Sequence, residues 1–305
     1  MVSVIIPCLN AGKYISESIK SVLHQKFDEF EIIVVDDGSN DDTKEIVLDL
    51  KEKFENKIVL LDNNGTGASA ARNTGFNCSR GEYIQYLDAD DVLLPDKLYK
   101  QAIYLDRNPN IGAVISARII KNEKLSETIK TLRFPEIVDD PLNTCINKIV
   151  ITNNPLIRRE WVNEIGGYRE DLPCSQDWDF HIRLAAEGIK FSYIDEILLV
   201  NRQVRESLSS DWKKVGIQNA NLIKEYKRWL LNDNRLNNES KMKFATILYI
   251  AALITNNKKS IDSYLKESLI WSNDLSFITN KYKHFIARRF GLGTLVKVQR
   301  NLKIF

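Results

Sequence analysis

The 305-residue sequence contains no run of about 18 uncharged apolar residues, the least a membrane-spanning helix needs. Its longest candidate, Phe244 to Ile254, is too short, so no spanning helix is expected. Histidine is scarce, with three in all, and the four cysteines (Cys8, Cys78, Cys145, Cys174) include no Cys-x-x-Cys pair. That argues against a zinc site and leaves free thiols in a reducing compartment as the expectation. A basic leader with a small-residue cleavage site is also missing. Met1-Val2-Ser3-Val4-Ile5-Ile6-Pro7 reads instead as a β-strand that begins at once, and a cytoplasmic protein is expected. Internal repeats and low-complexity tracts are absent.

Apolar residues make up 44% of the chain, enough to bury a sizeable core. The length suits one large α/β domain with a smaller appendage. The net charge of +2 hides an asymmetry, because residues 211–305 carry 18 Lys and Arg against 7 Asp and Glu. The first 210 residues are correspondingly acidic, which suggests two jobs in one chain.

The first third alternates short β-branched runs with amphipathic stretches, the pattern of a Rossmann-like, mostly parallel sheet flanked by crossover helices. Strands are predicted at Val2–Ile6, Glu31–Val35, Ile58–Leu61, Tyr83–Leu87 and Ile111–Ser116. Helical spacing relates Ile15, Ile19, Val22 and Leu23, and likewise Ile46, Val47, Leu50 and Phe54. Residues 120–175 look irregular, with loops expected around Pro135 and Pro141. A helix near Gln176–Glu187 and a strand near Tyr193–Val200 follow. Beyond Ser210 the sequence turns helical and Lys-rich, which places a domain boundary there and predicts a C-terminal helical extension, 211–305, after a domain spanning 1–210.

In open sheets of this kind, ligands gather at the carboxyl ends of the strands. The loops there are polar: Pro7-Cys8-Leu9-Asn10, Asp36-Asp37-Gly38-Ser39 and Asp88-Ala89-Asp90-Asp91. Strand alternation points Asp88 and Asp90 the same way. Two carboxylates held together are costly unless a cation lies between them, and Mg²⁺ or Mn²⁺ suits so hard an oxygen site. The plainer reading is a solvated turn. Asp36 and Asp37 can accept hydrogen bonds from a base N–H or a ribose hydroxyl, while Ser39, Asn40 or Asp41 can cap the following helix. Arg72 can hold a phosphate or pair with the acidic cluster.

In Ser175-Gln176-Asp177-Trp178-Asp179, Ser175 reads as an N-cap, which puts Asp177 in the first helical turn. The helix N-terminus favours an ionised carboxylate, as a general base requires. Asp177 and Asp179 point different ways on a helix, so only one can serve. Trp178 can stack on a sugar or simply pack, with packing favoured beside Phe180; Arg183 can pair with a carboxylate or lie in solvent.

With these motifs in order, the chain resembles the family 2 glycosyltransferases, which have the GT-A fold. The matching stretches are VSVIIPCLN, EIIVVDDGSNDDT, GASAARNTGF, YIQYLDADD and GGYREDLPCSQDWDF, spread over residues 2–200. The resemblance implies an inverting transfer from a nucleotide-diphosphate sugar, usually a UDP-sugar, to an acceptor hydroxyl on a glycan or lipid-linked acceptor. It implies that Pro7, Asp36, Asp37 and Arg72 line the nucleotide, that Asp88 and Asp90 form the metal motif, and that Asp177 is the base. Asn10, in the polar loop after the first strand, and Asp88 are placed with the nucleotide residues. Bacterial surface polysaccharide assembly is the setting the family most often implies.

Three departures from the family pattern stand out. Cys8-Leu9 replaces a frequent Thr-Tyr, Gln176-Asp177 replaces Glu-Asp, and Arg202-Gln203-Val204-Arg205-Glu206-Ser207 lacks the histidine of an Arg-x-His-x-x-Ser segment. Arg202 or Arg205 is available in its place. Two rival readings remain: a non-catalytic sugar-nucleotide or polysaccharide-binding protein, and an NAD-dependent dehydrogenase. The second rests on Gly65-Thr66-Gly67-Ala68-Ser69-Ala70, which fits a dinucleotide fingerprint with Asp88 about 20 residues on. From Lys281 to Phe305 seven Lys and Arg alternate with apolar residues and no acid intervenes. That composition suits an anionic membrane surface, with packing on protein as the alternative; no nucleic-acid motif accompanies the charge.

Overall fold

A computed structural model describes residues 1–54, 56–148, 150–204, 211–255 and 258–272. The chain divides into two compact units, Met1–Ser210 and Asp211–Phe305.

In the first unit β1 (Val2–Cys8) and β2 (Phe30–Asp36) are buried along their whole length. A parallel strand covered on both faces must be largely apolar, which is why both read as near-continuous hydrophobic runs. They pair in parallel with each other, and β3 (Ile58–Asp62) and β4 (Tyr83–Tyr86) complete a parallel set in the order β3-β2-β1-β4. Helices α1 (Ile15–Leu23) and α2 (Thr43–Lys53) bury Ile15, Ile19, Val22, Val47 and Leu50 against this sheet. Glu31, near the start of β2, is buried because Ser3 Oγ (2.7 Å) and the Arg80 side chain (Nη2, 2.9 Å) donate to it.

Beyond β4 the sheet becomes mixed. β5 (Val92–Leu93), β6 (Ala113–Lys121), β7 (Thr128–Leu132), β8 (Leu156–Arg158) and β9 (Phe191–Arg202) extend the order to β4-β8-β6-β9-β5, with β7 on β6. β8 runs antiparallel to both β4 and β6, whereas β6 and β9 are parallel. The strand predicted at 111–116 therefore starts later and continues to Lys121, because β7 and β9 supply partners to residues outside its apolar run. The stretch 120–175 also holds a 3₁₀ turn (Pro135–Ile137), α5 (Pro141–Asn147) and α6 (Arg159–Glu164). Pro135 and Pro141 were expected in loops. Each instead opens a helical segment, where its missing N–H has no intrahelical partner to lose.

Between β3 and β4, α3 (Ala68–Cys78) lies close against β1 and β2. α4 (Lys97–Arg107) and α7 (Gln176–Ala186) complete the helices of this unit. Cys8, Cys145 and Cys174 are buried and Cys78 is exposed, all as free thiols.

The second unit contains α8 (Trp212–Leu230), α9 (Asn238–Ile254) and α10 (Lys258–Trp271). Asp211 and Asn237 cap the first two through side-chain oxygens. Tyr226, Leu222, Phe244, Leu248 and Trp271 are buried. Tyr264 donates to Asn221 (2.8 Å) and Lys224 to Ser263 (2.9 Å), joining α8 to α10. Among the described residues no helix is long and apolar enough to cross a membrane. The basic stretch 281–305 lies outside them.

A Cβ on Gly75 of α3 would stand 2.4 Å from Ile5 Cγ2 and 3.2 Å from Val35 Cγ2. Gly75→Ala is expected to destabilise the protein by about 1–3 kcal/mol through overpacking. Urea denaturation would measure this, and an unchanged midpoint would show that α3 can withdraw freely.

Candidate active site

The strand-end loops are tied to one another before any ligand is considered. Pro7 is buried within β1, opposite Val35. Asn10, exposed and with φ of 51°, donates its N–H to Ser39 Oγ (2.9 Å) and accepts the Asn40 N–H (2.9 Å). It thus couples the loop after β1 to the loop after β2. Asp36 is buried, and its Oδ2 accepts the N–H groups of Gly38 and Ser39, both at 3.0 Å, with Lys44 Nζ at 3.4 Å. Burial works against its charge, yet these bonds and Lys44 hold it below the usual carboxylate range. The helix cap expected at Ser39, Asn40 or Asp41 sits at Asp42 by position, without a side-chain bond, while Asp41 takes the Thr43 N–H at 3.1 Å.

Asp37 accepts from Asn63 Nδ2 (2.6 Å) and, through both oxygens, from the Gly67 N–H (3.0 and 2.9 Å). This decides the dinucleotide reading. The Gly67 N–H is directed at a carboxylate, which would repel a pyrophosphate, and β3 before it is an edge strand. Gly65–Ala70 is a strut for the loop.

At the end of β4, Asp88 Oδ1 accepts from Arg72 Nη2 at 2.8 Å. Arg72, on α3, is buried over the Tyr168 ring at 5.1 Å. Burial opposes its charge, but Asp88, Tyr168 and Asp177 together keep the guanidinium firmly protonated. Its Nε is buried without a partner. Asp90 is pushed up to about 6, first by burial and then by the charge of Asp88, against the opposing pull of Arg202. Asp91 is buried and raised well above the ordinary range by burial and by Asp90 and Asp88. It accepts from the Arg202 N–H (2.7 Å), Asn201 Nδ2 (2.6 Å) and Asn153 Nδ2.

The protein's own cations leave this cluster short of positive charge, and the donors at Asp88 and Asp90 are hard oxygens. A divalent cation fits both facts. Among the described residues no group of three or more His, Cys, Asp or Glu side chains is arranged to hold an ion, so water and phosphate would complete its shell.

Asp177, half-buried in the first turn of α7, accepts from the Thr152 N–H (3.1 Å) and from Thr152 Oγ1. Ser175 occupies the N-cap position but with φ of 65° and no capping bond; its Oγ is buried without a partner. Asp179 is wholly buried and accepts from Arg183 Nε at 2.8 Å, which takes it out of contention as a base. Arg183 also donates to the carbonyls of Ile165 and Gly167 (2.8 and 2.9 Å). Trp178 is buried, with Nε1 on the Ile146 carbonyl at 3.3 Å, so it packs.

What joins these pieces is Thr152-Asn153-Asn154, which sequence reasoning missed. Thr152 holds Asp177; Asn153 Oδ1 accepts the Asp88 N–H at 3.0 Å while its amide reaches Asp91. Asn154 bonds both the N–H and C=O of Ser116 on β6 (2.9 and 3.0 Å). From below, the wholly buried Lys97 donates to the Asn154 carbonyl (2.6 Å) and Gln101 Oε1 (2.8 Å), and burial pushes its amine down to about 7. The sole signal in the sequence was three adjacent polar side chains between Ile151 and Pro155.

Arg202, available in place of the missing histidine, is otherwise engaged. It donates to the Asp90 carbonyl (2.8 Å), the Glu123 carbonyl and the Glu17 carboxylate, with its guanidinium over Tyr14 at 4.9 Å. It clamps the Asp90 loop from behind; Arg205 lies outside the described residues. Beside this clamp, Asn122, Glu123, Lys124, Ile129, Gln203 and Val204 line an open cleft of about 560 Å³.

Residues 3–166 match the family model described as Glycosyl transferase family 2. The chain is 32% identical to TuaG of Bacillus subtilis, named for teichuronic acid biosynthesis, over 70% of this chain and 83% of that protein. In fold it is similar to S. aureus TarS 1–349, with a TM-score of 0.68 and 17% identity over 99% of this chain and 91% of that one. TarS 1–349 has also been solved with UDP-GlcNAc. The mannosyltransferase PcManGT of Pyrobaculum calidifontis, solved with GDP-Man and Mn²⁺, aligns with a TM-score of 0.58 and 17% identity over 99% of this chain and 86% of that one.

Asn153→Ala would leave the Asp88 N–H and the Asp91 carboxyl each short of a partner. A loss of about 1–3 kcal/mol is expected, measurable by chemical denaturation. A variant as stable as the parent would show that water replaces the amide at no cost.

Proposed function

The chain belongs to glycosyl transferase family 2 and is a glycosyltransferase, and we propose that it moves a sugar from a nucleoside diphosphate donor, a UDP-sugar foremost, to an acceptor hydroxyl with inversion at the anomeric carbon. The observation that carries this reading is the shared mount at Thr152-Asn153, one residue bonded to Asp177 and the next to the backbone of Asp88. A base and a diphosphate site must keep a fixed separation for in-line attack, and adjacent residues on one buried segment provide that.

In the proposed reaction the acceptor oxygen bonds to the anomeric carbon while the bond from that carbon to the diphosphate oxygen breaks. The electron pair leaves with the diphosphate, and the hydroxyl proton passes to Asp177. The two bonds to Thr152 orient the carboxylate for this transfer. Asp88 and Asp90 would hold Mg²⁺ or Mn²⁺, which when bound offsets the charge of the departing diphosphate; the PcManGT structure with Mn²⁺ supports a divalent ion.

Arg72, with its Nε unpartnered beside Asp88, is the side chain best placed for a phosphate oxygen. Asp36, Asn10 and Pro7 shape the nucleotide loop, because the polar groups of Asp36 and Asn10 are already committed to backbone partners. Asp37 keeps lone pairs for a ribose hydroxyl or a base N–H. The TuaG likeness supports a role in surface polysaccharide synthesis. The basic 281–305 stretch supports a cytoplasmic protein held peripherally on an anionic membrane, where a lipid-linked acceptor would be presented.

Asp177→Asn is expected to keep UDP affinity and lose about 10²–10⁴-fold in turnover; equal turnover would remove Asp177 from the mechanism. Asp90→Ala should weaken Mn²⁺-dependent UDP binding in calorimetry, and unchanged affinity would count against the metal motif. Sedimentation with anionic liposomes at low salt tests the membrane reading, which fails if the protein stays in the supernatant.

A further inference from the structure

Arg118, on β6, has no part in the reaction just described. It is 7% exposed, its Nη1 donates to Asn201 Oδ1 at 2.7 Å, and its guanidinium carbon lies 5.7 Å from the Phe134 ring centre. Its Nε is buried without a hydrogen-bond partner, and among the described residues it forms no ion pair. A buried guanidinium without a carboxylate is costly to keep. Burial accordingly lowers its pKa to about 10, and the charges that resist the drop are those of Asp91 and Asp177.

Its neighbours show which space it serves. Ser116, two residues earlier on β6, bonds to Asn154 of the central mount, and Asn201 bonds to Asp91. Arg118 is therefore tied through Asn201 to Asp91, and the charges acting on it are those of Asp91 and Asp177, whereas Arg72 is paired with Asp88. A guanidinium with an uncommitted donor, acted on by the charge of Asp177 and lying 5.7 Å from the Phe134 ring centre, offers a planar fork suited to a phosphate or carboxylate.

We propose that Arg118 binds an anionic group, phosphate or carboxylate, carried by the acceptor or by the sugar being transferred, and so selects a negatively charged substrate at the base side of the site. The inference rests on the reading of Asp177 as the general base. It adds a charge requirement that neither the metal motif nor the nucleotide loops impose.

The test compares two pairs of probes on the full chain with Mn²⁺. UDP-glucuronate against UDP-glucose examines the transferred sugar, and glycerol 3-phosphate against glycerol, each with UDP present, examines the acceptor. In at least one pair the charged member should bind about tenfold or more tightly, the size of one charge-assisted hydrogen bond. That preference should collapse in Arg118→Met. Arg118→Gln keeps a donor for Asn201 and answers the same question if the methionine variant does not fold, with UDP affinity as the folding control. Absence of any charge preference in the parent protein, or a preference that survives both substitutions, would overturn the proposal. Failure of the parent to bind UDP at all would instead overturn the nucleotide-sugar reading, and this inference with it.

Discussion

Four carboxylates, Asp88, Asp90, Asp91 and Asp177, belong to the site, and the mutual repulsion of the first three is the constraint that the rest of it is built to meet. Each has its own answer. Arg72 pairs with Asp88, three N–H donors converge on Asp91, and Thr152 supplies two bonds to Asp177. Asp90 is left with the least compensation, and its carboxyl rises to about 6. An apolar core could not hold such a group of charges, because unpaired buried ions cost several kcal/mol each. The neutral amides of Asn153, Asn154 and Asn201 give fixed dipoles in place of extra salt bridges.

The arrangement separates residues that hold the loops from residues with atoms left for a substrate. Asp36, Asp179, Arg183 and Arg202 are fully drawn into backbone and ion-pair contacts. Each stiffens the mount of a neighbour: Arg202 secures the Asp90 carbonyl, and the Asp179–Arg183 pair fixes the start of α7. Buried Lys97 plays a similar part from below the Asn154 carbonyl. A site that must keep a base and a diphosphate at one separation gains from such rigidity.

The parallel half of the sheet was legible because β1 and β2 are covered on both faces and are therefore largely apolar. In the mixed half β6 and β9 were legible near 111–116 and 193–200, but β8 has three residues and β5 has two, and strands so short leave no periodic signal. Pro135 and Pro141 misled for a related reason: proline marks a break and a helix start equally well, and only the following backbone decides which. Of the site, the acidic residues at strand ends were visible as motifs. Arg118 and Thr152-Asn153-Asn154 were not, and Asp91 showed only as part of the acidic run, because their significance lies in partners 25 to 111 positions away.

By itself the sequence determined the chemistry on offer: hard carboxylates after apolar strands, an acid in the first turn of a helix, and a guanidinium ahead of both. Those follow from residue type and local spacing, which the chain carries directly. Tertiary structure alone decided which acids are spent on the fold, which arginine clamps a loop and which stays without a counter-charge. Such assignments depend on burial and on who lies opposite, and both are set only when distant segments pack together.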